Sequence, residues 1–326
     1  MADLTYSSLN NWLKFKHLVL LETLARTNNM HLAAEQMNLS QPAVSKMLKE
    51  IEGLLGFQVF ERLPRNMPVT ALGEHVIRYA QRVLNDAKHF VEDIEILRLG
   101  GHGFLKVGGI FAATAVVIPN SIIEIKKQWP LLSIDVVEQT SDHLMEMLSE
   151  HTLDLAIGRF TDVTQSQFFD FQPLGPEPFC IVVNNAHPCA QKKFCTLEEL
   201  LKWPWVLYPK GTPIRERMEG AFARAKVKIP LNTVNTMSMQ TFLQILKGAP
   251  MVGMLPEAMV IDQVKEGQLQ ILETDLILDA QDYGILTRKD EPVSDIVKLL
   301  YYSYKIRKKL EITHRLSRST ILYAYV

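Results

Sequence analysis

The chain has 326 residues, 47% hydrophobic and 22% charged, the mix of a folded protein of two or three domains rather than a disordered one. Its 35 Lys and Arg against 36 Asp and Glu leave a formal charge of −1, which excludes nucleic-acid binding by bulk charge but not by a local reading element. Three Cys with no Cys-x-x-Cys pair exclude a disulfide framework, and the sequence shows neither a secretory signal pattern nor a run of about 18 apolar residues, so the expected location is the cytoplasm.

In chain order, Leu18, Leu21, Leu24 and Ala25 recur at helical spacing and predict a helix ending near Asn28-Asn29. A short helix, Met30 to Met37, is expected to bury Leu32, Ala33 and Met37. Asn38-Leu39-Ser40 then makes a tight turn in which Ser40 can cap the next helix. Pro42 is tolerated there because a first-turn residue has no intrahelical use for an N–H. Val44, Met47, Leu48, Ile51 and Leu55 form the apolar stripe of that helix, and Gln41, Pro42, Ser45, Lys46 and Lys49 take its other side. Two short helices, a tight turn and a polar second helix describe a helix-turn-helix. Phe57 to Phe60 alternates apolar and polar, and Pro64 to Pro68 reads as a turn before Val69. The expectation is a two-stranded wing with Arg62 and Arg65 at its tip. Residues 1–66 carry seven basic and six acidic side chains, so placement rather than bulk charge must do the binding.

The next helix opens at Thr70 and runs to about Arg98. Val76, Ala80, Val83, Ala87, Phe90, Ile94 and Leu97 follow a 4-3-4-3-4-3 spacing. A rod of roughly 42 Å, at ~1.5 Å per residue, with such a seam calls for a partner helix, and a dimer-forming linker is expected. Gly100-Gly101-His102-Gly103 marks a hinge. Beyond it, apolar strand candidates alternate with amphipathic helices, the pattern of doubly wound α/β structure with ligand crevices at the strand ends. The basic run Lys305, Arg307, Lys308, Lys309, Arg315 and Arg318 reads as a solvated helix face.

At this point the residues resemble a known family. Ala33 to Ser45, Ile51-Glu52-Gly53-Leu54-Leu55-Gly56, Phe60-Glu61-Arg62 and Val69-Thr70-Ala71-Leu72-Gly73 look like the LysR-type transcriptional regulators. Trp129-Pro130, Leu153 to Gly158 and His187-Pro188 continue the likeness more loosely. The resemblance implies a winged helix-turn-helix over 1–70, a dimerising linker helix over 71–98 and a hinge over 99–103. A two-lobed, periplasmic-binding-protein-like α/β effector domain would follow over 104–312. Its first lobe would take about 104–174 and 268–311, its second about 175–267, with residues 313–326 as a C-terminal extension. The implied partners are promoter DNA, a small-molecule effector such as an organic acid, and further copies of the chain in a homodimer or homotetramer.

DNA contacts are then expected from Ser40, Gln41, Pro42, Ser45, Lys46 and Lys49 in the major groove or on phosphates, with Arg62 and Arg65 of the wing on the backbone or minor groove. The effector is expected between the lobes, near Phe111, Thr114, Thr140, Ser141, Arg159, Thr212, Ser238 and Met239, where strand ends meet helix N-termini. Ala112 and Ala113 stand where the family often carries a hydroxyl, which weakens the case for a small anion held mainly there.

Catalysis finds no support: no Gly-x-Ser-x-Gly, His-Glu-x-x-His or P-loop occurs. The nine His are scattered without metal-ligand spacing, and no cofactor is expected. Cys180, Cys189 and Cys195 read as structural residues of the second lobe. A solute-binding protein or an enzyme on the same two-lobed fold would leave the first 98 residues without a purpose. An architectural repressor without an effector is the remaining alternative.

Overall fold

The computed structural model describes residues 5–63, 66–277, 280–289, 291–293 and 297–298. Two compact units emerge: one runs to Phe104 and includes Ser149–Thr152, the other begins at Leu105.

The first unit opens with a helix that lies upstream of the expected first element, α1 (Tyr6–Trp12), followed by α2 (Phe15–Thr27), α3 (Met30–Gln36), α4 (Gln41–Leu55) and α5 (Ala71–Arg98). Local chemistry sets these boundaries. Asn28 closes α2 in the left-handed region, φ 51°, and its side-chain oxygen accepts the Met67 amide at 2.7 Å. Asn29 caps α3 by accepting from the His31 and Leu32 amides. Ser40 caps α4, accepting from the Ala43 amide at 3.4 Å, and Gly56 ends it at φ 78°. Thr70 caps α5 in the same way through the Gly73 amide. A side chain at Gly73 would meet the Val59 carbonyl oxygen at 2.1 Å, so glycine is what lets α5 start against Val59.

Leu18, Leu21 and Leu24 of α2, Val44, Leu48 and Ile51 of α4, Phe60, and Ile77, Ala80 and Leu84 of α5 make one buried core. Three expectations change here. Leu32 is exposed, while Ala33 is buried as expected and Ala34 joins it, because α3 turns its small residues inward to let the helices approach. The expected two-stranded wing is short and irregular: one antiparallel bridge, Phe60 with Val69, is flanked by the Thr70 amide on the Val59 carbonyl and the Glu61 amide on the Pro68 carbonyl, each at 2.9 Å; Arg65 lies outside the described residues. The seam of the linker helix also divides. Ala80 is fully buried in its own head and Val76 and Val83 pack there too, whereas Phe90, Val91, Ile94 and Leu97 are exposed.

The second unit holds two five-stranded sheets. Its elements are β1 (Phe104–Gly109), α6 (Ile118–Gln128), β2 (Ser133–Glu138), α7 (Ser141–Ser149), β3 (Leu155–Gly158), β4 (Phe169–Glu177) and β5 (Phe179–Asn184). Then come α8 (Leu197–Leu200), β6 (Trp205–Leu207), α9 (Pro213–Arg224), β7 (Thr233–Asn235), α10 (Met239–Gly248), β8 (Val252–Pro256), α11 (Ile261–Lys265), β9 (Leu269–Leu272) and β10 (Gln281–Arg288). The sheet orders are β2-β1-β3-β10-β4 and β7-β6-β8-β5-β9. β1 runs parallel to β3, and β6 to β7 and β8. The antiparallel strands β10 and β5 complete the two sheets.

The helix between β1 and β2 begins as a π turn at Ala113–Val117 and becomes α-helical at Ile118. Pro119 has no N–H to donate to the Ala115 carbonyl four residues back, which favours the wider turn.

The lobe boundaries also shift. β4 pairs with β10 as far as Glu177↔Gln281, so the first lobe extends to Glu177 rather than 174, and Pro178 alone separates it from β5. On the return, β9 pairs with β5 in the second sheet, and Leu272 and Leu276 lie in the second lobe's core. The crossing therefore comes after Leu276, not at 268. Expected lobe-one residues past 298 and the extension 313–326 lie outside the described residues.

Candidate functional site

On α4, Gln41, Ser45 and Lys49 follow one another at intervals of four, and Pro42 and Lys46 run beside them, which puts all five on one side of the helix. Gln41, Pro42, Lys46 and Lys49 are exposed and Ser45 is half-buried, while Val44, Leu48 and Ile51 face the core. Together with the capping residue Ser40, they give a polar face at the free N-terminal end of a helix held rigidly from behind. Such a face can enter a major groove, and its leading N–H groups can meet a phosphate.

Arg62 does something the sequence did not suggest. Its Nη2 lies 3.2 Å from the carboxylate of Glu52, whose side chain is 9% exposed. The other Glu52 oxygen accepts the Val59 and Phe60 amides at 3.0 and 3.4 Å. Arg62 therefore balances a buried carboxylate that closes the loop after α4. The signal was available: Glu52 stands four residues after Leu48, inside the buried stripe.

In the second unit, the expected effector residues separate into two groups. Phe111, Thr114, Ser141 and Arg159 come together. Phe111 is half-buried and its ring centroid lies 5.9 Å from that of Tyr208 in the other lobe. The single Thr114 hydroxyl proton has two acceptors within reach, the Phe111 carbonyl at 3.0 Å and the Glu138 carboxylate. The buried Ser141 hydroxyl accepts the Arg159 amide at 3.3 Å. Arg159 forms a buried ion pair with Glu177, a pairing that joins the end of β3 to the end of the crossing strand β4.

Thr140, Thr212, Ser238 and Met239 are drawn into local structure. The Thr140 hydroxyl is 3.3 Å from His143 Nδ1. Thr212 caps α9 and donates to the Pro209 carbonyl at 2.8 Å. Ser238 caps α10 by accepting the Thr241 amide at 3.3 Å, and Met239 packs against the cluster of Tyr208 and Phe242.

Three residues of this region escaped the sequence reading: Glu138, Glu177 and Tyr208. Tyr208 is 3% exposed and its hydroxyl has no hydrogen-bond partner among the described residues. Burial, then the charges of Glu177 and Glu138, pushes its phenol pKa up, so it stays protonated and remains a donor. Arg159 Nε is likewise buried without a partner among the described residues. Tyr208 thus lies within the field of two carboxylates, one of which, Glu177, pairs with Arg159. Arg159 also lines an adjoining cavity of about 440 Å³ with Phe160, Thr161, Phe179, Arg217 and Met254.

The three cysteines are free and buried. Burial and the charge of Glu257 push Cys180 up to about 12, and burial with the Cys189 neighbour pushes Cys195 up to about 11. Such thiols remain protonated and inert near neutral pH.

Two family models match this chain: "Bacterial regulatory helix-turn-helix protein, lysR family" over residues 15–74 and "LysR substrate binding domain" over 99–301. A curated relative, the HTH-type transcriptional regulator GbpR of Azospirillum brasilense, is 29% identical over 323 residues, covering 95% of this chain and 94% of the relative. Among solved structures, full-length CbnR complexed with its target DNA superposes with a TM-score of 0.62 at 18% identity, covering 90% of this chain and 99% of that one. The effector-binding domain of QuiR in complex with shikimate gives 0.52 at 15% identity, over 63% and 96% of the two chains. Among the described residues no helix is long and apolar enough to cross a membrane. With a capped reading helix in its head and a two-lobed effector domain after it in the sequence, the chain belongs to the LysR family: it is a DNA-binding transcriptional regulator with a small-molecule effector domain, not an enzyme.

Proposed function

We propose that this regulator reads its operator through Ser40, Gln41, Pro42, Ser45, Lys46 and Lys49, and that its effector binds between the two sheets near Phe111, Arg159 and Tyr208. Thr114, Ser141 and the backbone near Thr140, Thr212, Ser238 and Met239 complete the surroundings of that ligand. The observation that carries the effector half is the pair of buried donors without partners among the described residues, Tyr208 Oη and Arg159 Nε. Buried polar groups are nearly always satisfied, and a ligand bound between the lobes would satisfy these two.

The working assembly is a homodimer or homotetramer. Its support is the exposed apolar run Phe90, Val91, Ile94 and Leu97 on the linker helix, a face that two dyad-related copies can cover. The functional division runs through a DNA-binding part over 1–70, a linker over 71–98, a hinge over 99–103 and an effector domain from 104. CbnR, of the same fold, is seen with its target DNA and QuiR with shikimate. A promoter-binding regulator with these parts works in the cytoplasm, where its DNA lies.

The test is operator binding by the full chain, with the operator selected from random duplexes and a metabolite library added to find the inducer. A ligand shifts the protein only by its difference in affinity between two states. Tyr208→Phe removes one hydroxyl and keeps the ring, so its inducer response should fall at least tenfold. A Tyr208→Phe response equal to that of the unaltered chain rejects the interlobe assignment.

A further inference from the structure

We infer that the interlobe site takes an uncharged polyhydroxylated molecule, a sugar or sugar alcohol, an inference that rests on the interlobe reading above. The reason is the balance of charge and hydrogen-bonding capacity at that place. The cation, Arg159, is already matched by Glu177 in a buried ion pair. Glu138 adds a second carboxylate at the rim, held by the Thr114 hydroxyl. These three side chains together carry a formal charge of −1, and both carboxylates act on Tyr208. A carboxylate ligand would find no unmatched cation among them and would face a like charge.

A polyol fits the same groups. Each hydroxyl both donates and accepts. It can donate to the remaining lone pairs of Glu138 and Glu177, and accept from Tyr208 Oη and Arg159 Nε, the two buried donors that lack partners among the described residues. The protonated state of Tyr208, kept by its burial between those carboxylates, keeps that donor in place. Phe111, half-buried beside the Tyr208 ring at a centroid separation of 5.9 Å, offers aromatic surface to the C–H face of a sugar ring, while the hydroxyls point to the charged side chains. An apolar ligand would leave Tyr208 Oη and Arg159 Nε buried without acceptors, which disfavours it.

The experiment compares ligands of one skeleton and different charge. Dissociation constants are measured by calorimetry on the full-length chain for D-glucose, D-galactose and L-arabinose, for sorbitol and galactitol, and for D-gluconate, D-galactonate and L-arabinonate. At least one neutral member should bind ten or more times more tightly than its own aldonate. Glu138→Gln, which removes the charge and keeps an acceptor oxygen, should narrow that ratio several-fold. An aldonate that binds more tightly than every neutral member, or no binding by any neutral member, overturns the polyol assignment. If an aldonate binds and Tyr208→Phe weakens it, the ligand class is wrong and the interlobe site stands. If Tyr208→Phe leaves the affinity of whichever member binds unchanged, the site itself is wrong.

Discussion

The guanidinium of Arg62 lies 3.2 Å from the carboxylate of Glu52, and the opposite oxygen of that carboxylate holds the Val59 and Phe60 amides. One buried acid thus ties the reading helix to the segment that follows it. Glu52→Ala leaves two amides without acceptors, at about 1–3 kcal/mol for each buried group. Urea unfolding of the full chain should show the head destabilised by roughly 2–4 kcal/mol. Arg62→Ala should cost less, about 1 kcal/mol, because the pair is partly open to water.

The reading face makes a separate prediction. Ser45→Ala with Lys46→Ala should weaken operator binding by roughly 1–3 kcal/mol for each base that is no longer read. Affinity for scrambled duplexes should change far less, and thermal unfolding should not move. Fluorescence anisotropy against operator and scrambled DNA separates the two. Equal weakening on both duplexes would mean that these residues touch only the backbone.

The linker helix should respond in opposite ways at its two ends. Ala80 is fully buried against the head's own core, so Ala80→Glu should unfold the head, at a cost of several kcal/mol for a buried, unpaired charge. Ile94→Glu or Leu97→Glu, on the exposed stretch, should leave head stability intact and lower the mass of the assembly. Analytical ultracentrifugation paired with circular dichroism reads both outcomes.

How much of this was legible in the sequence depends on how local the chemistry is. Asn29, Ser40, Gly56 and Thr70 set helix ends within a few residues of themselves, and the reading helix was visible from its stripe and cap. Glu138, Glu177 and Tyr208 were not, since sheet topology brings them together from separations of about forty and thirty residues. The apolar strand Leu269–Leu272 was visible as a pattern, but alternation does not say which sheet receives a strand. Its pairing with β5 moved the lobe boundary. Only the first half of the linker seam misled, because a heptad spacing looks the same whether its partner is a second chain or the helix α2 beside it.

Acid should weaken the fold through two histidines. Burial holds the His187 imidazole below its ordinary value of 6.5, and burial with the charges of Lys16 and Lys14 does the same to His17. The unfolded chain therefore takes up protons near pH 6.5 while the folded one does not. Their contribution is complete above that pH and is lost as the pH falls towards the lowered folded values. His187 Nδ1 accepts the Cys189 amide at 3.1 Å, and His187→Asn keeps an acceptor there without a titrating ring. The drop in melting temperature from pH 7.5 to 5.5 should be smaller in that variant.

The cysteines should be silent. With all three thiols buried and two of them held protonated to about 12 and 11, reaction with a chromogenic disulfide reagent at pH 8 should stall in the folded protein. Three equivalents of chromophore should appear only after unfolding. Rapid reaction of any folded-state thiol would contradict a purely structural role for it.

The most direct test of a ligand held between the lobes is amide hydrogen exchange on the full chain, with and without its inducer. Exchange should slow in residues 110–114 and 139–141 of the first lobe together with 208–212 and 236–239 of the second, since one ligand would touch both. Protection confined to a single lobe, or seen only on the face of α9 that lines the 440 Å³ cavity, would contradict a ligand held between the lobes.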